Sequence, residues 1–331
     1  MKILITGGAG FIGSHIVDAY VEKGFEVVVY DNFSSGTHKN IATHIKNKSI
    51  EVIDGDILNF ELLNKSVKGC DFISHHAAQL EIFLAHDDPM KDLEVNTIGT
   101  LNVLHAAKKN NIKKVINVSS ACVYGQVNGQ SKETDDLRPN WDYGVSKLAA
   151  EKYGCIFNDY KDLPVVSLRY SIVYGEREWF RRALPIFLKR IIQNEPPVIF
   201  GKGNQERDFI YVKDVVDLNL KCLENDSTNG EIINVGSGTK TSIKDLAYSV
   251  CELKGNTMPL FEDTKEGDFS ELIPGKKRNS SELKSMFLNI SKAKELLNWE
   301  PQISLDEGLR REYVWAKENI DRWNKIYTTQ W

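Results

Sequence analysis

Cysteine is scarce in this sequence. The five residues present, Cys70, Cys122, Cys155, Cys222 and Cys251, are odd in number and widely spaced. No CxxC or mixed Cys/His cluster occurs, which excludes a disulfide framework and a structural zinc site. Reduced thiols in a cytoplasmic protein are expected instead, with no metal. An excess of charge is also missing: 42 Lys and Arg against 46 Asp and Glu leave a net charge of −4. A nucleic-acid binder would show a strongly basic domain, and none is present. No apolar run approaches the roughly 18 residues that span a bilayer, so no membrane partner is expected. The stretch Met1–Ile5 breaks into glycines too soon for a signal peptide. Internal repeats and low-complexity tracts are lacking. What is there is ordinary for a globular protein: 331 residues, 41% apolar and 27% charged, enough for about two compact units.

Short, nearly all-apolar runs alternate with amphipathic stretches in the first half. Lys2–Thr6, Glu26–Tyr30, Ile50–Ile53, Phe72–His75, Lys114–Val118 and Val165–Arg169 read as strands covered on both faces. Between the first two, Phe11–Lys23 sets Ile12, Ile16, Val17, Tyr20 and Val21 on one helical stripe. The alternation predicts an α/β fold on a parallel, doubly wound sheet with right-handed crossovers. Beyond about residue 175 the pattern weakens. A basic helix over Ala183–Gln193, strands at Val198–Phe200, Phe209–Val212 and Glu231–Val235, and a helix over Ile243–Leu253 are expected. Residues 262–285 are charged and poor in large apolar groups, and read as a mobile surface segment. Two helices close the chain, one at Ser291–Leu297 and one opening at Ser304, where Ser304-Leu305-Asp306-Glu307 fits a capping box. Residues 1–174, with return segments near 208–237, are expected to form a nucleotide-binding domain. Residues 175–331 are expected to form a smaller α/β domain that carries most substrate contacts.

The first strand runs into Gly7-Gly8-Ala9-Gly10-Phe11-Ile12-Gly13 and then a helix. Such a loop turns tightly, lets backbone approach a pyrophosphate, and points a helix N-terminus at it. Asp31 ends the second strand, 18 positions beyond Gly13. A carboxylate there accepts from the adenosine ribose hydroxyls and repels a 2′-phosphate, which favours NAD over NADP. Asp56, after the third strand, is expected to meet the adenine amino group.

The second signal is Tyr143-Gly144-Val145-Ser146-Lys147, in a helix expected from Asp142 to Asn158. Spacing of four sets Tyr143 and Lys147 on one helical face. A nearby ammonium lowers a phenol's pKa from about 10, which would let Tyr143 take a proton from a sugar hydroxyl. Ser120 leaves the end of the strand Lys114–Val118, where doubly wound sheets bind ligands.

With Asp31-Asn32, His75-His76-Ala77-Ala78-Gln79, Asn96, Val123-Tyr124-Gly125 and Arg207-Asp208-Phe209-Ile210-Tyr211-Val212, these motifs resemble the extended short-chain dehydrogenase/reductases. Within them the sequence is similar to the NAD-dependent nucleotide-sugar epimerase/dehydratase group, familiar from UDP-glucose 4-epimerase. The similarity runs from residue 1 to about residue 312, through Ser291-Lys292-Ala293 and Asn298-Trp299. The resemblance implies a Rossmann-type sheet, NAD as cofactor, a nucleoside-diphosphate sugar (UDP-sugar favoured) as partner, and a homodimer built on residues of about 90–110 and 142–158. It implies Ser120, Tyr143 and Lys147 as catalytic residues. For the cofactor it implies Gly7, Gly10, Phe11, Ile12, Gly13, Asp31, Asn32, Ser35, Gly36, Asp56, Ile57, His75, Ala77, Ala78, Gln79, Asn96, Ser119, Tyr143, Lys147, Tyr170 and Val173.

Departures from the family pattern narrow the reaction. Sugar 4,6-dehydratases carry an Asp-Glu pair just after the catalytic hydroxyl, and related decarboxylases a Glu; here stand Ala121 and Cys122. A chemically quiet pair suits an epimerase, most naturally at C4 through a transient 4-keto sugar. A nucleotide-sugar dehydrogenase or 4-keto-sugar reductase is the alternative, and a non-catalytic NAD-sensing regulator a further one that the intact Ser120, Tyr143 and Lys147 count against. On the substrate side, Arg207 is expected to clamp the diphosphate, with Cys122, Arg177 and Arg181 near the substrate. Arg278 would be a second clamp or solvated, and Glu81 would read a sugar hydroxyl or amino group or face solvent. Ile172 and Ile273 replace the Asn and Arg usual in the group, so the sugar itself is left open. Arg182, Lys189 and Arg190 read as a solvated helix face.

Overall fold

A computed structural model describes residues 1–326 apart from 80–81, 128, 180–181, 256 and 279–281; for 82–84 and 324–326 only the backbone is described. Six strands follow the expected runs: β1 (Lys2–Thr6), β2 (Glu26–Asp31), β3 (Ile50–Asp54), β4 (Phe72–His75), β5 (Lys114–Ser120) and β6 (Val165–Tyr170). With Ile232–Val235 they form one seven-stranded sheet whose order is Ile232–Val235, β6, β5, β4, β1, β2, β3. Every neighbouring pair is parallel. The order reverses between β1 and β4, so the crevice above their carboxyl ends is where ligands of doubly wound sheets bind.

The unbroken apolar runs have a simple cause. Side chains alternate across the sheet, and helices cover both faces. Ile3, Ile5, Val27 and Val29 enter one core with Ile16 and Val17 of helix α1 (Phe11–Glu22). Leu4, Val28 and Ile73 enter the other with Val103, Leu104 and Val115. Helix α1 stops at Lys23, followed by Gly24 at φ +79°, a backbone turn that glycine takes without steric cost.

Beyond the sheet, Phe209–Tyr211 pairs with Ile172–Tyr174, and Leu260–Glu262 with Val198–Phe200. Glu206–Arg207 lies between Thr241–Ser242 and Ser285–Met286. The helix that Ser304 opens runs over Leu305–Glu318. Ser304 Oγ accepts from Glu307 N (3.3 Å), but the Glu307 carboxylate turns to Arg311 (2.7 Å) instead of closing the box.

The expectation for residues 262–285 is corrected. Their described residues fold back onto the body: Ile273 is 5% exposed and Leu283 4%. Glu262 accepts from the Ser270 hydroxyl and from Glu271 N, both at 2.6 Å, and Phe269 bridges to Lys277. Composition suggested mobility because the anchors are single apolar residues without a period. Charged side chains hold the backbone between them.

Candidate active site

A cavity of about 670 Å³ opens above the carboxyl ends of β1, β4 and β5. Gly7, Gly10, Phe11, Ile12 and Gly13 form one wall. Gly7 sits at φ +68°, and a Cβ there would lie 2.6 Å from Ala77 N; a Cβ on Gly13 would lie 2.1 Å from Gly7 O. The loop is therefore as compact as backbone allows. Asp31 is buried beside it and fixes it: Oδ2 accepts from Ala9 N (2.8 Å) and Oδ1 from Phe33 N (2.8 Å). Burial pushes its carboxyl pKa up, and those two backbone N–H groups oppose the rise. Asn32 Nδ2 donates to Asp56 Oδ2 (2.9 Å), and Asn32, Ser35, Asp56 and Ile57 line the same end. A bare glycine loop, a helix N-terminus and a carboxylate at the end of β2 fit the pyrophosphate and ribose of NAD. Gly13→Ala should then abolish NAD retention, because the added methyl strikes Gly7 O; nucleotide released on denaturation, read by absorbance, checks this. Undiminished NAD content in that variant would refute the assignment.

Ala77, Ala78, Ser119, Tyr170 and Val173 also line the cavity. Several implied cofactor residues stand behind its wall. His75 is buried, with its ring nitrogens on Thr6 Oγ1 (2.7 Å) and Thr100 Oγ1 (2.9 Å); its neighbour His76 is the one on the cavity. Asn96 joins Gln79 to the Tyr143 helix: Oδ1 accepts from Gln79 N (2.8 Å), and Nδ2 donates to Gln79 O, Asp92 and Ser146. Gly36 packs under Asp31, 2.9 Å from Oδ1 for an added Cβ.

At the other side stand the three residues of the second signal. Ser120 ends β5, and its Oγ accepts from Cys122 N (3.2 Å). Tyr143 and Lys147 lie in the first turns of the helix Asp142–Lys161, and all three residues line the cavity. The Ser120 hydroxyl stands close enough to the Tyr143 phenol to favour its ionised form. The expected lowering of the phenol by Lys147 is not the net result. Burial pushes Tyr143 well above its usual range, with the Arg182 charge and the Ser120 hydroxyl opposing. Burial likewise pushes Lys147 down to about 8, against the pull of Asp92 and Glu151. The desolvation that a sequence does not show outweighs the neighbouring charge that it does.

That value has a sign. Lys147 is charged below about pH 8 and loses its charge above it. Turnover that relies on the ammonium should therefore fall on the alkaline side, starting about there. A kcat/KM profile that keeps rising well past that point would remove Lys147 from the chemistry.

The arginines are rearranged relative to expectation. Arg207 lines the cavity, its Nη1 donating to Glu206 O and Leu283 O, both at 2.8 Å. Cys122 lines it too, with its thiol pushed up by burial. Arg177 lies off the cavity, paired with Asp18 of α1 (2.7 Å). Arg278 donates to Thr264 O and Glu282 beside a smaller neighbouring cavity. Glu81 and Arg181 lie outside the described residues. Arg182, read from sequence as solvated, lines the cavity instead, as do Glu178, Trp141 and Trp179. Arg182 precedes the helix Ala183–Ile192 rather than lying on its face; the expected start at Ala183 already set it apart from Lys189 and Arg190, but the shared basic character grouped them.

Residues 3–236 match the model of the NAD dependent epimerase/dehydratase family. The chain is 37% identical over 324 residues to a Methanocaldococcus jannaschii protein provisionally named UDP-glucose 4-epimerase, covering 96% of this chain and 99% of that one. Among solved structures it resembles a UDP-glucose 4-epimerase of Thermotoga maritima with UDP-glucose, at 32% identity and TM-score 0.87, over 97% of this chain and all of the other. It resembles equally a UDP-glucuronic acid 4-epimerase of Bacillus cereus in complex with UDP-glucuronic acid and NAD: 32% identity, TM-score 0.87, 96% of this chain and 100% of that one.

Proposed function

The chain belongs to the NAD-dependent epimerase/dehydratase family, and on that premise we propose that it is an NAD-dependent epimerase of nucleoside-diphosphate sugars. In this reading it inverts C4 of a UDP-sugar through a transient 4-keto sugar. One observation carries the reading: Ser120, Tyr143 and Lys147 open onto the same cavity as the glycine loop and Asp31. NAD, when bound, supplies the hydride acceptor and donor. Tyr143 takes the proton from the C4 hydroxyl and later returns it, and Ser120, beside the phenol, holds the same oxygen. Lys147 supplies the positive charge that favours the phenolate, and Arg182 adds to it before substrate binds. Arg207, with Lys276 and Lys277 on the same cavity, meets the diphosphate. NAD sits on residues 1–174 and the nucleotide sugar mainly on 175–331.

Ala121 and Cys122 support epimerisation over elimination. Both are buried, and neither offers a carboxyl group to expel water. The test is to incubate the protein with a panel of nucleotide sugars and follow epimer formation by NMR. Epimers without accumulating NADH are expected. Steady NADH release would identify a net dehydrogenase instead.

Among the described residues no helix is long and apolar enough to cross a membrane. The five free cysteines suit a reducing, cytoplasmic compartment. An apolar strip of Met90, Leu93 and Ile98 lies exposed with Val145, Ile156 and Tyr160 of the Asp142–Lys161 helix. Its occupant in this reading is a second copy of the chain. Sedimentation should show a dimer that Ile156→Glu with Tyr160→Glu converts to monomer; a monomeric parent protein would rule this out.

A further inference from the structure

The cavity wall carries a carboxyl group that the chemistry above does not use. Glu178 lines the cavity together with Arg182, whose Nη1 lies 3.7 Å from Glu178 Oε1 and donates to Val173 O (3.2 Å). Behind Glu178 stands Glu312, from the Leu305–Glu318 helix. Glu178 is 2% exposed and Glu312 fully buried, and after burial the Glu178 charge is what most pushes the Glu312 carboxyl up. Two carboxylates only accept, so neither can satisfy the other unless a proton sits between them. Glu178 Oε2 and both Glu312 oxygens find no N–H or O–H donor among the described residues, so the pair is poised to take up a proton.

The other groups facing the pair do not supply a cation. Glu176 repels Glu312 and is itself engaged by the Tyr211 hydroxyl (2.6 Å). Arg311 sits over the Tyr211 ring and pairs with Glu307. The Tyr174 phenol lies close enough to feel the Glu312 charge. Trp323 Nε1 donates to the backbone oxygen of Glu178, not to its carboxyl (2.9 Å). Among the described residues, only Arg182 is ion-paired with Glu178.

We propose that Glu178 is a positioning residue for the substrate's diphosphate: it holds Arg182 at the cavity wall, releases it to a bound phosphate, and with Glu312 takes up a proton from solvent as the guanidinium leaves. The inference rests on the nucleotide-sugar reading above. A guanidinium prefers a phosphate it can meet through several N–H groups to a carboxyl at 3.7 Å. Once Arg182 turns away, the burial that already raises both carboxyls loses what most opposes it at Glu178. Protonation follows binding, so affinity falls as pH rises through the pair's titration, by up to about tenfold per pH unit.

The probe is UDP-glucose, whose diphosphate diester exchanges no proton near neutrality. It is titrated calorimetrically into the NAD-loaded protein in neutral buffers of different ionisation enthalpy. Uptake approaching about one proton per ligand is expected. Glu178→Gln, which preserves the shape of a protonated carboxyl, should bind with no uptake. Should that variant not fold, Arg182→Gln at a partly exposed position gives the same test and should also bind without uptake. Binding without proton uptake in the parent protein, or undiminished uptake in Arg182→Gln, overturns the inference and leaves the epimerase reading standing. Failure of UDP-glucose to bind at all overturns both.

Discussion

Tyr143→Phe should lower turnover by at least roughly 10²-fold while NAD stays bound, the loss typical of a missing acid–base group. The substitution removes one oxygen from a buried ring, the one beside the Ser120 hydroxyl. The ring still fills its place, so the glycine loop and Asp31 are untouched. A factor of 10² corresponds to about 2.7 kcal/mol of transition-state stabilisation. Epimer formation by NMR gives the rate, and nucleotide content after denaturation shows that the cofactor site survived. Near-normal turnover would refute the role of the phenol. Loss of NAD along with activity would mean that Tyr143 chiefly shapes the cofactor site.

The largest expected stability effect lies under the same site. Arg169 of β6 meets Glu151 of the Asp142–Lys161 helix through two bonds, Nη2 to Oε1 at 2.6 Å and Nε to Oε2 at 2.8 Å. Both side chains are essentially fully buried. The Ser119 hydroxyl of β5 donates to Glu151 (2.8 Å), and Arg169 donates to the Tyr124 hydroxyl (2.7 Å), which donates to Asn234 (2.8 Å). This network ties the strand end that carries Ser120 to the helix that carries Tyr143. Glu151→Ala strands a guanidinium that cannot discharge, at an expected cost of about 3–5 kcal/mol. Urea unfolding should show it. The double change Glu151→Leu with Arg169→Met should recover much of the loss, because it leaves no unpaired charge. A single-variant loss well under about 1 kcal/mol would mean that water or another group reaches Arg169.

The two expectations differ in how far they could be read from the chain. Tyr143, Lys147 and the glycine loop belong to local patterns: a spacing of four on a helix, and a strand, turn and helix in sequence. The Arg169–Glu151 pair has no such pattern, since an arginine in an apolar run reads as a flaw in a strand. The tail helix was legible from its cap, but not that Glu312 within it would meet Glu178, 134 positions earlier. Arg177 and Arg182 are five positions apart in one basic stretch. The structure sends the first to α1 and the second to the cavity.

Periodicity, glycine placement and charged spacing act over a few residues, and they determined the sheet, its crevice, the dinucleotide loop and which pair is proposed to react. Tertiary structure alone decided how dry that pair is, which arginine faces the cavity, and how the described residues of 262–285 fold back. Those outcomes depend on desolvation and on contacts between distant segments, and both exist only once the chain has closed around itself.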